Sequence, residues 1–186
     1  MEKFSNLRKK KTSKKDKPLY ENDWIKVVKF EDWTIVEGTD SIICVPILMD
    51  SNQVVLRREY IPSYKKRSHD EYYLHVISGT VEEGESHEEC LRRELVEEAG
   101  IVLRDSVTPT FEKPLFMSKS GTSQYHICML PLYKDDYYEI EAKGDGSKSE
   151  KLSNSVKVYN YNIDDLESSD TITELCLMKL KDYIDV

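Results

Sequence analysis

The segment that decides the fold is Gly79–Ile101, with the sequence GTVEEGESHEECLRRELVEEAGI. Ser86 followed three residues later by Glu89 is the capping-box pattern of a helix N-terminus. Gly100 follows the last residue with helical apolar spacing, as is typical of a helix end. The segment is therefore predicted to form a loop, then a helix that begins after Ser86 and stops at Gly100.

Three carboxylates are predicted to share one face of this helix. At about 100° per residue, Glu94, Glu97 and Glu98 fall within an arc of roughly 100°, where like charges destabilise the helix. Arg93 can offset only part of that repulsion. Hard oxygen ligands clustered in this way suit Mg²⁺ or Mn²⁺, especially where phosphates of a substrate complete the octahedron. A solvated acidic helix face is the alternative for a generic Glu-rich helix.

The spacing of the whole segment favours the metal site over a solvated face. The segment satisfies all nine specified positions of the Nudix box: Gly, five residues, Glu, seven residues, Arg-Glu-apolar, any residue, Glu-Glu, any residue, Gly-apolar. At ordinary residue frequencies such a match occurs by chance on the order of once in 10⁹ start positions. The chain thus resembles the Nudix hydrolase family. That resemblance implies an α+β fold, an α/β/α sandwich with a mixed β-sheet and the box as loop–helix–loop.

The resemblance also implies Mg²⁺-dependent hydrolysis of a nucleoside diphosphate linked to another group. Its implied metal ligands are Glu94 and Glu98 as principal ligands, Glu97 as a further or water-mediated one, and the backbone carbonyl of Gly79. The catalytic residues that the resemblance implies within the box are Glu98, Glu94 and Arg93.

Three positions of the box have implied supporting roles. Arg93 would orient the carboxylates by ion pairing. Glu85 would brace the loop against Arg93, and Gly100 would end the helix.

Features outside the box are similar to the ADP-ribose pyrophosphatase branch of the family. The segment VLRREYIP at 55–62 resembles that branch's apolar-Arg-Gln-Tyr-Arg-Pro pattern, and SKSGTS at 118–123 resembles its Ser-Pro-Gly loop. By this resemblance the substrate contacts are Glu37, Arg58, Tyr60 and Ser120. Both segments depart from the branch at several positions, so another dinucleotide or sugar nucleotide is an alternative to ADP-ribose.

An acidic, aperiodic stretch, Lys134–Asn154, is long enough to indicate function rather than a simple connection. Glu150 occupies roughly the position of the branch's mobile catalytic carboxylate, and Glu139 and Glu141 are the alternatives. Such a carboxylate would position the attacking water or take its proton.

Hydrophobic patterning predicts the remaining elements. The run SIICVPILM at 41–49 suits a strand buried on both faces, and 53–60 returns as a strand after a short turn. Further strands are predicted at 24–30, 33–37, 71–77, 101–116, 124–133 and 156–161, with a loop at 63–70 and a helix at 171–184. His75 and His126 are expected to pack on strands, and His87 to face solvent.

Charge divides the chain unevenly. Residues 1–17 carry eight Lys or Arg and two acidic residues, a net charge of +6, whereas the other 169 residues carry 19 basic and 33 acidic side chains, a net charge of −14. We expect residues 1–20 to be a disordered basic tail and residues 21–186 to be the Nudix domain. An acidic domain repels nucleic acid, so only weak contact through the tail is expected.

The cellular setting and partners follow from composition and resemblance. The four cysteines are far apart and form no CxxC pair, which favours reduced thiols and a cytoplasmic protein. No apolar run is long enough for a membrane span. The branch is typically homodimeric. Two alternatives remain: an RNA 5′-end pyrophosphohydrolase, suggested by the basic tail, and a catalytically silent nucleotide sensor, which would not need the complete carboxylate set.

Overall fold

The computed structural model describes residues 18–22, 25–67, 72–146, 150–159, 166 and 170–184. The strands are β1 (Tyr20–Glu21), β2 (Lys26–Phe30), β3 (Trp33–Glu37), β4 (Ser41–Leu48), β5 (Gln53–Tyr60), β6 (Tyr72–His75), β7 (Ile77–Thr80), β8 (Ile101–Leu103), β9 (Leu115–Phe116), β10 (Gln124–Leu132), β11 (Tyr137–Glu139) and β12 (Asn154–Tyr159). The helices are α1 (Pro62–Arg67), α2 (His87–Glu94) and α3 (Thr171–Ile184), and a π-helical turn at Leu95–Ala99 continues α2. Single 3₁₀ turns lie at Met49–Ser51 and Glu150–Leu152.

A mixed β-sheet forms the centre of the fold, as the sequence predicts. Its long strands lie in the order β12, β5, β4 and β10, with β6 paired to β5 and β7 paired to β4. The β4–β10 pair is parallel and places Cys44 opposite Cys128, whereas β5 and β7 run antiparallel to β4. The pairing of β4 with β7 brings the start of the box next to the most buried strand.

Both faces of this sheet are covered, which explains the nearly continuous apolar sequence of β4. Alternate residues point to opposite sides of a strand, so Ile42 and Cys44 pack with Leu91 and Leu95 beneath α2. The intervening residues of β4 pack with the apolar face of α3 in a second core cluster: Ile43, Val45, Ile47, Ile172, Cys176, Leu177 and Leu180. A sheet between helices on two sides is the predicted α/β/α sandwich.

The chain divides into two compact units. One comprises the residues up to Gly38 together with Phe116–Ser123, and the other comprises Thr39–Leu115 with the residues from Gln124 onward. The entire box belongs to the second unit. No helix in the described ranges is long and apolar enough to cross a membrane.

The first unit is built on a three-stranded antiparallel sheet. Its order is β1, β2 and β3, with Lys26 opposite Glu37. The Val36 N–H donates to the carbonyl of Ser120 at 2.8 Å, and the Thr122 N–H donates to the carbonyl of Val36 at 3.1 Å. These bonds hold the 116–123 segment along β3.

Several predicted elements are corrected by the structure. The predicted loop at 63–70 contains helix α1, and the predicted strand at 71–77 divides into β6 and β7 around Val76. The long strand predicted at 101–116 consists of two short strands, β8 and β9, with irregular chain between them. The stretch Lys134–Asn154 contains β11, which pairs with β8. The basic tail falls almost entirely outside the described residues, and Tyr20 at its predicted end begins β1.

Candidate active site

Helix α2 begins and ends as its sequence predicts. The Glu89 N–H donates to the Ser86 hydroxyl at 3.2 Å, and the Ser86 N–H donates to the Glu89 carboxylate at 2.8 Å, which completes the capping box. Gly100 adopts the left-handed conformation, with φ 64°. The predicted boundaries are confirmed, whereas the π-helical geometry of the last turn has no counterpart in the periodicity argument. Such turns are frequent at functional sites.

Glu94 lies directly against the strand that precedes the box loop. A Cβ atom on Gly79 would overlap the carboxyl group of Glu94, so only glycine leaves room for this carboxylate beside the β7 backbone. Glu94 is itself buried. The spacing of the box therefore brings a carboxylate and the backbone of Gly79 into immediate contact.

Glu98 is also buried, and its carboxylate is held from two sides. One oxygen accepts a hydrogen bond from the Ser78 N–H at 3.0 Å, and the other lies 3.1 Å from Nε of Arg57. Burial raises the pKa of the Glu98 carboxyl well above its usual range, and Arg57 and the Ser78 N–H oppose that rise. Repulsion from Glu94 and Glu59 raises this pKa further. Glu98 therefore lacks full compensation for its charge, which a cation would supply.

Arg93 links the loop to the carboxylates. Its guanidinium makes two bonds to Glu85, at 2.9 and 3.0 Å, and contacts Glu94 at 2.5 Å and Glu97 at 3.3 Å. It also donates to the Thr80 carbonyl at 3.1 Å. The Arg93 hydrogen bonds lower the pKa of Glu85 to about 2, so Glu85 is ionised at neutral pH. Contacts of Arg93 with Glu85 and with the helix carboxylates are those that the family resemblance implies.

Arg57 is the residue that sequence reasoning missed. It is buried on β5, and in addition to its pairing with the Glu98 carboxylate it donates to the Glu98 carbonyl at 3.3 Å. A signal for it exists in the sequence. Val55 and Arg57 share one face of β5 by the two-residue strand period, and Val55 packs in the core beneath α2. A charged residue on that face needs a buried partner.

The acidic segment, which is the stretch Lys134–Asn154, contacts the end of the box helix, which is α2 with its π-helical last turn. The Ile140 N–H donates to the Gly100 carbonyl at 2.8 Å, and the Gly144 N–H donates to the Glu97 carbonyl at 2.9 Å. Among the candidate loop carboxylates, Glu139 is paired with Lys157 at 2.5 Å, and Glu141 is exposed. Glu150 begins the 3₁₀ turn that precedes β12, and its side chain lies outside the described residues.

The predicted substrate contacts lie on both units. Arg58 is exposed on β5 and places its guanidinium 4.5 Å from the ring centre of Tyr72. Tyr60 contacts the same ring edge-to-face at 6.2 Å. Glu37 and Ser120 belong to the other unit, where Glu37 pairs with Lys26 at 2.5 Å.

The histidines have different surroundings. His75 is half-buried, with its ring nitrogens 3.4 Å from carboxylates of Glu59 and Asp170, and it is a satisfied strand residue as expected. The expectation that His87 faces solvent is wrong. Its ring is half-buried and stacks on that of His126, with centroids 3.7 Å apart, because the first turn of α2 lies over the start of β10.

The donor set fits a divalent metal ion. The contact between Glu94 and Gly79 places a buried carboxylate beside the backbone of β7. Glu98 adds a second buried carboxylate, whose negative charge is incompletely compensated. Carboxylate and carbonyl oxygens are the ligands that Mg²⁺ and Mn²⁺ prefer. Glu94, Glu98 and Glu97 are the residues that could hold such an ion, with the Gly79 carbonyl.

Comparison with known proteins gives the class. The family model of the NUDIX domain matches residues 39–152, which include the whole box and the central sheet strands β4, β5 and β10. The chain belongs to the Nudix family, and we identify it as a Nudix hydrolase.

A solved structure gives independent support for the fold. A protein described as an ADP compounds hydrolase matches with a TM-score of 0.68 and 20% sequence identity, over 92% of this chain and 92% of that chain. At this identity the likeness concerns the fold alone. Among curated protein sequences none matches this chain significantly.

Proposed function

We propose that this Nudix hydrolase cleaves the pyrophosphate bond of a nucleoside diphosphate derivative in the presence of Mg²⁺ or Mn²⁺. The preferred substrate is ADP-ribose or a related ADP-sugar or dinucleotide, and the products are AMP and a sugar phosphate. The observation that carries the proposal is the cluster of Glu94 and Glu98 against Gly79 and Ser78, supported by Arg93. The sequence features shared with the ADP-ribose pyrophosphatase branch, at 55–62 and 118–123, support the substrate class.

In this proposal the chain's own residues hold and orient the reacting groups. Glu94, Glu98 and Glu97 hold the cation, which when bound polarises the phosphate and lowers the pKa of water. Arg93 is a positioning residue, because it fixes the carboxylates of Glu94 and Glu97 while itself anchored by Glu85. Burial of Glu94 and Glu98 excludes competing water from the ligand oxygens.

A carboxylate of the acidic segment takes the proton of the attacking water. We assign this role to Glu150, with Glu139 and Glu141 as the alternatives. The hydrogen bonds from Ile140 to Gly100 and from Gly144 to Glu97 support a role for this segment, since they attach it to the end of the box helix.

Arg58 and Tyr60 are the proposed substrate contacts on the second unit. With Tyr72 they form a group in which two half-buried tyrosine rings lie beside the exposed Arg58. Lys65 adds an ammonium 5.5 Å from the Tyr60 ring centre. A cationic and aromatic surface suits an adenine base and its phosphates. Glu37 and Ser120 are proposed as substrate contacts from the sequence resemblance alone.

We further propose a homodimer. The antiparallel sheet of the first unit exposes large apolar side chains, with Phe30 53% and Trp33 50% exposed, and such side chains commonly mark an interface. Light scattering during size-exclusion chromatography measures the mass directly, and a 21.7 kDa particle would contradict the dimer.

A nucleotide panel tests the activity. The purified chain is incubated with ADP-ribose, other nucleoside diphosphate sugars and dinucleotides, with Mg²⁺ or Mn²⁺, and products are identified by chromatography. We expect AMP from ADP-ribose and no product from the Glu98→Gln variant. Absence of AMP from every adenine nucleotide would reject the substrate class, and full activity of Glu98→Gln would reject the site.

A second series identifies the loop carboxylate. Glu150→Gln should lower kcat by about 10²–10⁴-fold, as is typical of a lost general base, and leave Mn²⁺ affinity nearly unchanged. Glu139→Gln and Glu141→Gln are the matched controls on the same segment. If Glu150→Gln is fully active and one of the controls is inactive, the role moves to that residue.

A further inference from the structure

Three potential metal ligands meet at the opposite end of the box helix from the glutamate cluster. Asp40 immediately precedes β4, His87 lies in the first turn of α2, and His126 lies on β10. One ligand atom from each side chain lies within 4.8 Å of the other two. His87 and Glu94 are seven residues apart, which corresponds to about 10 Å along a helix axis. The two clusters are therefore separate.

Hydrogen bonds already hold the carboxylate of this cluster in place. One oxygen of Asp40 accepts from the Gln124 N–H at 2.9 Å, and the other lies 3.2 Å from Nε2 of His126. The Asp40 carbonyl accepts from the Val81 N–H at 3.0 Å. The Gln124 N–H is an outer partner of the kind that fixes ligand orientation at metal sites, whereas the contact with His126 joins two of the three potential ligands.

The imidazole of His87 is suited to bind metal in its neutral form. Burial lowers the pKa of His87, the neighbouring His126 lowers it further, and Asp40 opposes both effects. Stacking at 3.7 Å keeps the two rings together. The His126 side chain is nearly buried, whereas that of Asp40 is 38% exposed, which leaves a path from solvent.

We propose that Asp40, His87 and His126 form a second metal site, which takes a borderline divalent transition metal such as Zn²⁺ and leaves one coordination position to water. Two imidazoles and one carboxylate form a ligand set for such metals, in contrast to the all-oxygen set at the glutamates. Zn²⁺ bonds of about 2.0–2.1 Å require the ligand atoms to approach one another more closely than 4.8 Å.

The bound ion would connect three parts of the second unit. Asp40 is bonded to the box loop through Val81, His87 begins the box helix, and His126 belongs to the parallel strand of the sheet. Zn²⁺ at this position therefore fastens the start of the box to the sheet. This inference does not depend on the substrate or activity of the glutamate site.

Zinc binding is measured on the untagged full chain by equilibrium dialysis. The parent protein carries Glu94→Gln and Glu98→Gln, and the buffer contains Mg²⁺, so that binding at the glutamates is suppressed. We expect one Zn²⁺ per chain in the parent. His87→Gln and His126→Gln, each added to the parent, should weaken binding by more than the roughly 10–100-fold typical of a lost outer-shell partner. His75→Gln is the matched control and should bind as the parent does.

Two binding results would overturn the proposal: no Zn²⁺ bound by the parent at micromolar free zinc, or equal binding by all three histidine variants. Circular dichroism verifies that each variant is folded. Zinc-edge X-ray absorption of the parent gives a readout that needs no histidine variant. Two imidazole ligands would support the site, and ligation by oxygen alone would overturn it.

Discussion

At the scale of single residues, Arg57 and Arg58 are sequence neighbours with opposite environments. Arg57 is buried against Glu98, and Arg58 is exposed over the ring of Tyr72. The alternation of side chains along β5 causes this difference. The resemblance to a known substrate-binding segment directs attention to Arg58, while the strand period shows that Arg57 faces the box helix.

Removal of Arg57 should make the glutamate site more sensitive to acid. Arg57 opposes the rise in the pKa of Glu98, so Arg57→Met should raise that pKa further, and protons should displace Mn²⁺ at a higher pH than in the wild type. Mn²⁺ affinity measured across the pH range tests this. Arg58→Met is the control and should leave the pH dependence unchanged while it raises KM for the substrate. Coincident Mn²⁺ profiles for Arg57→Met and wild type would contradict the role of Arg57.

Glu85 should contribute stability that depends on pH. Its pKa is lowered from 4.5 to about 2 by the Arg93 hydrogen bonds, so its ionised form stabilises the folded state above about pH 4.5. That contribution is lost as the pH falls from 4.5 towards 2. In urea unfolding, Glu85→Gln should therefore be less stable than wild type at pH 7, and the difference should shrink towards pH 3.

Glu88→Gln provides the comparison for Glu85. Glu88 pairs with Arg92 across one helical turn and is 43% exposed, so its loss should change the unfolding free energy by at most about 0.5 kcal/mol. Other groups titrate alike in both variants, so their contributions cancel when the two unfolding free energies are compared. A gap between Glu85→Gln and wild type that stays constant from pH 7 to pH 3 would argue against the Arg93 pairing.

At the scale of elements, one glycine allows the acidic segment to pack against the end of the box helix. Gly100 has φ 64°, and a Cβ atom added to it would overlap the Ile140 carbonyl. Gly84 has φ 84°, and a Cβ atom added to it would meet open space. Gly84→Ala should cost roughly 1–2 kcal/mol for the left-handed backbone alone. Gly100→Ala should cost more, because the segment at 140–144 must move as well.

Urea unfolding of the two alanine variants separates backbone strain from displacement of the segment. Gly100→Ala should also lower kcat, since the acidic segment carries the proposed general base. Equal unfolding free energies for Gly84→Ala and Gly100→Ala would show that contact with Ile140 contributes nothing to stability.

The element boundaries show which signals a sequence contains. Helix α2 follows from its capping box and Gly100, and β5 and α3 have their predicted bounds, because local capping, turn residues and periodicity determine them. The π-helical turn at Leu95–Ala99 cannot be predicted in this way, since its apolar spacing also fits an α-helix. The division of 71–77 into β6 and β7 arises from pairing with two different strands, which is a tertiary effect.

At the scale of the whole molecule, the predicted sandwich follows from one strand that is apolar on both faces and from two helices to cover it. The clustering of Asp40, His87 and His126 could not be predicted, because these residues are distant in sequence. The parallel pairing of β4 with β10 brings Asp40 near His126, and His87 reaches them from α2 by stacking on His126. Long-range pairing of this kind leaves no local pattern. Motifs with fixed spacing, such as the box, are the exception, since all their members lie on one segment.

Charge is the whole-molecule property that separates the two enzymatic hypotheses. Residues 1–17 have a net charge of +6, against −14 for the remainder. A chain that hydrolyses small nucleotides needs no cationic arm, so deletion of residues 1–17 should leave kcat/KM for ADP-ribose nearly unchanged. An enzyme of RNA 5′ ends would lose affinity and much of its salt dependence.

Eight cations that contact a single strand contribute a slope of about 5–6 in log affinity against log salt. RNA hydrolysis assayed at several salt concentrations, with and without the tail, measures this slope. Efficient and tail-dependent hydrolysis of RNA, with none of ADP-ribose, would replace the proposed substrate with RNA.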